Sequence, residues 1–175
     1  MIKSDTRKLV FCALFTALIA VLSQLQLPIG PVPVSLATLG VMLCGLLLGW
    51  RFGALALGAY ILLGAVGVPV FAGFQGGVGR LAGPTGGYIV GYLFYAMIAG
   101  MEIPRLRERF FGRCILLLLG TAVCYGLGTV WFMHMSGRTL SESLSLCVIP
   151  FLPGDAAKIA LASFLTPRLG KALRI

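Results

Sequence analysis

Apolar residues along this chain gather into six long runs, separated by short stretches rich in glycine, proline or arginine. These runs lack the regular polar stripe of a helix that lies on a soluble core, and a bilayer core of about 30 Å needs about 17–25 such residues as a helix. The pattern predicts helices over 9–27, 34–50, 53–66, 85–101, 114–135 and 154–170. Together they form a single transmembrane domain over 1–175, an all-α bundle of six membrane helices with a ligand cavity near the outer side. Gly67 and Pro69 end the third run early, because proline removes a donor and clashes with the preceding turn. The first run follows Lys3, Arg7 and Lys8, as a signal peptide would. It is longer than the 7–15 residues of a signal core, and five more runs follow, so it reads as a span.

Composition strengthens this reading. The chain is 59% hydrophobic and 11% charged, against about 25% charged in a soluble domain. Too few polar side chains remain to cover a soluble surface, which excludes a soluble enzyme, a nucleic-acid reader and a disordered linker. The net charge of +9 would suit an acidic partner, but its placement says otherwise. Lys3, Arg7, Lys8, Arg51, Arg105, Arg107, Arg109, Arg113, Arg168, Lys171 and Arg174 fall at the termini and the even connections. Only Arg80 and Arg138 fall in the odd ones. The positive-inside rule therefore places both termini in the cytoplasm, and the basic charge reports topology with no nucleic-acid partner. Cys12, Cys44, Cys114, Cys124 and Cys147 form no CxxC pair and no metal-ligand spacing, and read as small buried hydrophobes.

Candidate chemistry lies where polar groups break the pattern. The first outer connection, Pro28-Ile29-Gly30-Pro31-Val32-Pro33-Val34-Ser35, is uncharged and stiff, and reads either as an inward-folded lid or as a rigid interfacial turn. The second carries seven glycines between Gly73 and Gly87, with Arg80 as its single cation. Irregular backbone at membrane depth is tolerated where it is buried or lines a cavity. Gly77-x-Gly79-x-x-Ala82 lacks the strand context of a dinucleotide site, and no Gly-Lys-Ser/Thr makes a phosphate loop. Pro153-Gly154-Asp155-Ala156-Ala157-Lys158 heads the last run and puts an acid and a base three residues apart on one helical face. One reading is a capping acid with a snorkelling lysine. The other is a recognition point inside the bundle, Asp155 accepting from N–H groups and Lys158 donating to a carbonyl. His134 and Ser136 have no third partner, so no catalytic residue, metal site or cofactor is expected. Ala13/Ala17, Gly45/Gly49 and Gly87/Gly91 give small-residue faces, for packing within the bundle or, at Ala13/Ala17, for another membrane protein.

Four segments in this order resemble the BioY family, the substrate-binding S subunits of bacterial energy-coupling factor (ECF) vitamin transporters. They are Gly30-Pro31-Val32-Pro33-Val34-Ser35-Leu36, Gly64-Ala65-Val66-Gly67-Val68-Pro69-Val70-Phe71, Gly83-Pro84-Thr85-Gly86-Gly87-Tyr88 and Pro153-Gly154-Asp155-x-x-Lys158. The resemblance spans essentially the whole chain. It implies a multi-pass protein of the bacterial cytoplasmic membrane that binds biotin from outside and is not an enzyme. Asp155 and Lys158 would meet the ureido ring; Val34 and Ser35 from the first loop, Phe74, Gln75 and Arg80 from the glycine-rich loop, and Tyr88 would complete the site. It also implies a transmembrane coupling protein docked at Ala13 and Ala17, and two ATPase subunits that supply the hydrolysis this chain has no Walker motif to perform. Relatives often read Thr-Leu-Gln-Thr where this chain has Ser35-Leu36-Ala37-Thr38, and some use a loop Asn where Gln75 is the nearest amide. The residues alone leave open an S subunit for another small vitamin or heterocycle, or an integral-membrane enzyme.

Overall fold

The computed structural model describes residues 2–27, 32 and 34–173, with side chains from residue 6 onward. The proline-rich positions 28–31 and 33, read above as a lid, and Arg174 lie outside the described residues. The chain is helical almost throughout. In order come α1 (Ile2–Gln24), a two-stranded ribbon of β1 (Gln26–Leu27) and β2 (Val34–Ser35), α2 (Ala37–Ala65), the short α3 (Val78–Leu81), α4 (Gly86–Ala99), the short α5 (Pro104–Glu108), α6 (Phe110–Ser136), α7 (Leu140–Cys147) and α8 (Leu152–Leu173). The antiparallel ribbon pairs Gln26 with Ser35 and Leu27 with Val34, so the ends of the predicted first and second helices are extended. The prolines between them explain why: they cannot donate within a helix, and they bias their neighbours toward extended backbone.

Among the described residues four helical segments are long and apolar enough to cross a membrane: Thr6–Gln24, Ala37–Ala65, Phe110–Ser136 and Leu140–Leu173. Gly86–Ala99 is apolar but shorter. α2 covers the predicted helices 34–50 and 53–66 without a loop, yet it is not one rod. Gly49 sits at φ 80°, ψ 174° in its middle, a conformation that glycine adopts without a Cβ penalty. Beyond it the chain folds back on itself, so that a methyl group on Gly53 would lie 3.4 Å from the Gly45 Cα. In a straight helix eight residues separate Cα atoms by about 12 Å.

With that reversal the chain makes six helical passes of alternating direction. Across α1 and the second half of α2, Thr16 Oγ1 donates to Ala56 O at 2.9 Å and Ser23 meets Tyr60 at 2.9 Å. α4 and α6 pack antiparallel through glycines: Gly91 against Cys124, and Gly120 against the Tyr95 ring. The core holds Ile19, Val41, Leu57, Tyr60, Tyr95 and Leu117, each at most 1% exposed. Leu14, Val21, Leu62, Leu118, Val130 and Phe164 instead face outward. A bundle that is apolar inside and out is built for a lipid surround.

Each helix break is repaired at the end of the bundle that carries Gly49. Bending at Gly49 sends the Trp50 N–H to Gly100 O at 3.0 Å, which deprives Leu46 O of its normal donor. The Arg107 guanidinium supplies one. In α8, Pro167 has no N–H for Ser163 O, and Arg113 Nε donates to that carbonyl at 3.0 Å. Two arginines counted above only as topology signals thus stand in for missing backbone donors. The sequence reading has no helix over Leu140–Cys147. There Thr139 and Glu142 form a reciprocal capping box that starts α7.

Candidate ligand site

At the opposite end of the bundle, α8 begins with Pro153 in its first turn, where a missing N–H costs nothing, and Asp155 follows at the positive end of the helix dipole. Asp155 and Lys158 are 5% and 8% exposed and pair at 2.9 Å. A buried pair survives only if its remaining donors and lone pairs are also met. Here they are. Lys158 Nζ donates to Ser35 O at 2.7 Å, to Thr38 Oγ1 at 2.9 Å and to Asp155 Oδ1, which uses all three ammonium protons. Thr38 reaches Oδ1 at 3.5 Å, and the Tyr125 hydroxyl donates to Oδ2. The ribbon, the first turn of α2, α6 and α8 therefore converge on one carboxylate–ammonium pair. Oδ1 already takes two donors, and Oδ2, with Tyr125 alone, keeps a lone pair for a further one.

Two cavities of about 40 Å³ each lie side by side here, and the pair lines one of them. One is lined by Val34, Thr38, Tyr125, Phe151, Asp155 and Lys158. The other is lined by Ser23, Tyr60, Phe71, Arg80 and Thr85. Val32, Ser35, Tyr88 and Tyr92 line both and form the partition between them. In the second cavity Arg80 Nε and Thr85 Oγ1 are buried and find no partner among the described residues. Burial pulls the Arg80 pKa below its ordinary value, because the charged form loses hydration. A cation and a hydroxyl left unmet at one end, with an ion pair at the other, suit an elongated ligand with an acidic group at one end and N–H donors at the other.

Of the residues singled out in the sequence, Val34, Ser35, Arg80, Tyr88, Asp155 and Lys158 come together at these cavities. Phe74 and Gln75 do not. Phe74 is 73% exposed and has φ 56°, and Gln75 is exposed while its backbone bridges to Phe71. Gln24 holds this loop in place: its Oε1 accepts from Phe74 N at 2.8 Å, and its Nε2 donates to Val70 O and Phe71 O at 3.3 and 3.2 Å. Sequence reasoning missed Thr38, Thr85, Tyr92 and Tyr125. Each is a hydroxyl inside or beside an apolar run, which by itself is too ordinary to single it out. Ala13 and Ala17 line neither cavity; they are exposed on α1 in an apolar groove with Leu55, Ala59 and Leu63.

This arrangement accompanies a family-wide likeness. The model of the BioY family matches residues 1–175. The chain belongs to the BioY family. It is 40% identical over 157 residues to the probable biotin transporter BioY of Pyrococcus horikoshii, covering 90% of this chain and 92% of that one. It is 36% identical over 165 residues to the biotin transporter BioY of Thermotoga maritima, covering 94% and 96%. Among solved structures it resembles the S-component for biotin from an ECF-type ABC transporter, at TM-score 0.89 and 34% identity over 98% of this chain and 94% of that one. BioY is thus a family of transport proteins, not of enzymes.

Proposed function

We propose that this chain takes up biotin as the high-affinity substrate-binding subunit of an ECF-type transporter. The observation that carries the reading is the buried Asp155–Lys158 pair facing one cavity, with Arg80 Nε and Thr85 Oγ1 unmet in the next. Biotin offers two ureido N–H groups and a carbonyl at one end and a carboxylate at the other. Asp155 accepts from ureido N–H, and Lys158 donates to the ureido carbonyl. Arg80 and Thr85 hold the carboxylate, and Val34, Ser35 and Tyr88 line the path between. The two cavities are far below the ~300 Å³ of a small-molecule pocket, so binding merges them by moving the partition of Val32, Ser35, Tyr88 and Tyr92. Because all three Lys158 protons are taken, a contact to the ligand carbonyl releases one of the present acceptors, Ser35 O, Thr38 Oγ1 or Asp155 Oδ1.

The six helical passes are six membrane crossings in this proposal. Arg7, Lys8, Arg51, Arg105, Arg107, Arg109, Arg113, Arg168 and Lys171 gather at the Gly49 end, which by the positive-inside rule faces the cytoplasm together with both termini. The Asp155 end faces outward. The groove over Ala13 and Ala17 receives the transmembrane coupling protein, which carries two ATPase subunits. Isothermal titration of the purified chain with biotin gives saturable one-site binding if this is right. No heat at micromolar biotin overturns it. Competition with other small heterocycles separates biotin from a different vitamin, and recovery of unchanged biotin by mass spectrometry separates transport from catalysis.

A further inference from the structure

A second cavity system opens at the Gly49 end, remote from Asp155. It holds about 540 Å³ between α1, α2, α5, α6 and α8, and five charged residues line it: Lys8, Glu102, Arg107, Glu108 and Arg113. Among the described residues the sole ion pair is Asp155–Lys158, so these five charges share one basin without pairing to one another. Arg113 is only 7% exposed, and its described bonds all go to backbone carbonyls, those of Ser163, Arg107 and Glu108. A basin whose three cations and two acids have no ion-pair partner among the described residues suits a ligand that carries both signs.

An apolar slot of about 430 Å³ adjoins it, lined by Trp50, Phe94, Met97, Ile98, Met101 and Ile103. Glu102 lines both basin and slot, and its Oε1 faces the bend at Gly49. Arg51 stacks over the ring of Trp50, one of the slot's residues, at 5.0 Å. A free phosphate would not use the slot, and a fatty acid would not use the acids. A purely anionic headgroup would meet Glu102 and Glu108 unfavourably.

We propose that the Gly49 end binds one phospholipid whose headgroup carries a phosphodiester and a primary amine. Its acyl chain fills the Trp50–Met101 slot. Lys8 and Arg107 face its phosphate, and Glu102, at the junction, accepts from its ammonium. Basic pockets between helices at a membrane surface hold lipid headgroups by charge-assisted hydrogen bonds, and an added acid selects the amine. A trimethylated amine has no N–H to give.

The test uses the full chain in nanodiscs of phosphatidylethanolamine, phosphatidylglycerol or phosphatidylcholine, read by thermal unfolding, with native mass spectrometry of lipid retained in detergent. Phosphatidylethanolamine should raise the unfolding midpoint above both other lipids and be the lipid retained. Glu102→Gln should erase the difference between the ethanolamine and choline lipids while biotin binding persists. Met97→Trp should fill the slot and remove retention of every lipid, again with biotin binding kept as proof of folding. Soluble phosphoethanolamine, tested alone in detergent, should not reproduce the shift; if it does, the slot is not part of the site. Equal response to all three lipids, as a seat for a protein helix would give, or a preference kept in Glu102→Gln, overturns the proposal.

Discussion

At the scale of single residues, Asp155 is the hub. Its two oxygens take donors from Lys158, Thr38 and Tyr125, so its shape and charge are set before any ligand arrives. Asp155→Asn keeps the size but turns one acceptor into a donor facing Tyr125 or Lys158. A mismatched buried hydrogen bond costs about 1–3 kcal/mol, so biotin affinity should fall about 5- to 150-fold by titration calorimetry. An unchanged affinity removes Asp155 from the site. Tyr125→Phe removes a single donor and should weaken binding by about 1 kcal/mol, with Tyr125→His or another donor restoring part of the loss. Arg80 tests the other end. Arg80→Gln should weaken biotin strongly but biotin methyl ester little, because only the acid presents a charge; equal losses would place Arg80 away from the carboxylate. The sequence showed the charged members of this constellation, because a charge inside an apolar run is conspicuous. It hid Tyr125 and Thr38, because a tyrosine or threonine in a membrane run is ordinary. Only the packing of α2 and α6 against α8 makes them neighbours of Asp155.

At the scale of elements, the helix interruptions turn from defects into joints. Pro167 leaves Ser163 O without its backbone donor, and Arg113 replaces it from α6. Arg113→Ala should therefore destabilise the bundle by about 1–3 kcal/mol, the cost of an unmet buried acceptor. In a Pro167→Ala background the backbone donor returns, and the same change should cost less. A coupling of about 0.5–3 kcal/mol between the two sites, measured by thermal or detergent unfolding of the four variants, is the signature. Additive losses would mean that Arg113 acts only through its bonds to Arg107 and Glu108. Gly49 makes a related point. At φ 80° any side chain is strained, so Gly49→Ala should cost about 1–3 kcal/mol although nothing crowds the position closer than 3.5 Å. Helices over the apolar runs were legible from length alone. The fold-back inside α2 was legible too, as the break at Arg51 between 34–50 and 53–66; only the residue that makes it, Gly49, was hidden, because a glycine within an apolar run reads equally as close packing or as a turn. α7 was missed for the opposite reason: it is short and polar, and its Thr139–Glu142 capping box is a local signal independent of membrane periodicity.

At the scale of the whole molecule, the bundle has two chemically different ends and one marked flank. The Asp155 end gathers hydroxyls, one ion pair and few other charges, while the Gly49 end gathers arginines and lysines. Under the proposed function that polarity would put the biotin site outside and the basic basin inside. Under the same proposal a coupling protein needs a face that it can hold without touching the site. The α1 groove meets that need: Ala13 and Ala17 expose backbone for close approach, Leu55, Ala59 and Leu63 form its other wall, and neither ligand cavity shares a residue with it. Ala13→Leu and Ala17→Leu would each raise side chains into the groove while remaining apolar, so folding and lipid exposure are preserved. The expected result is separation of two activities. Biotin binding by the purified subunit should stay within about twofold of the parent, a change under ~0.5 kcal/mol. Co-purification with the coupling protein and accumulation of biotin by cells should both fall. Loss of binding by the isolated subunit would mean that this face supports the fold, and undiminished co-purification would move the docking surface elsewhere on the bundle.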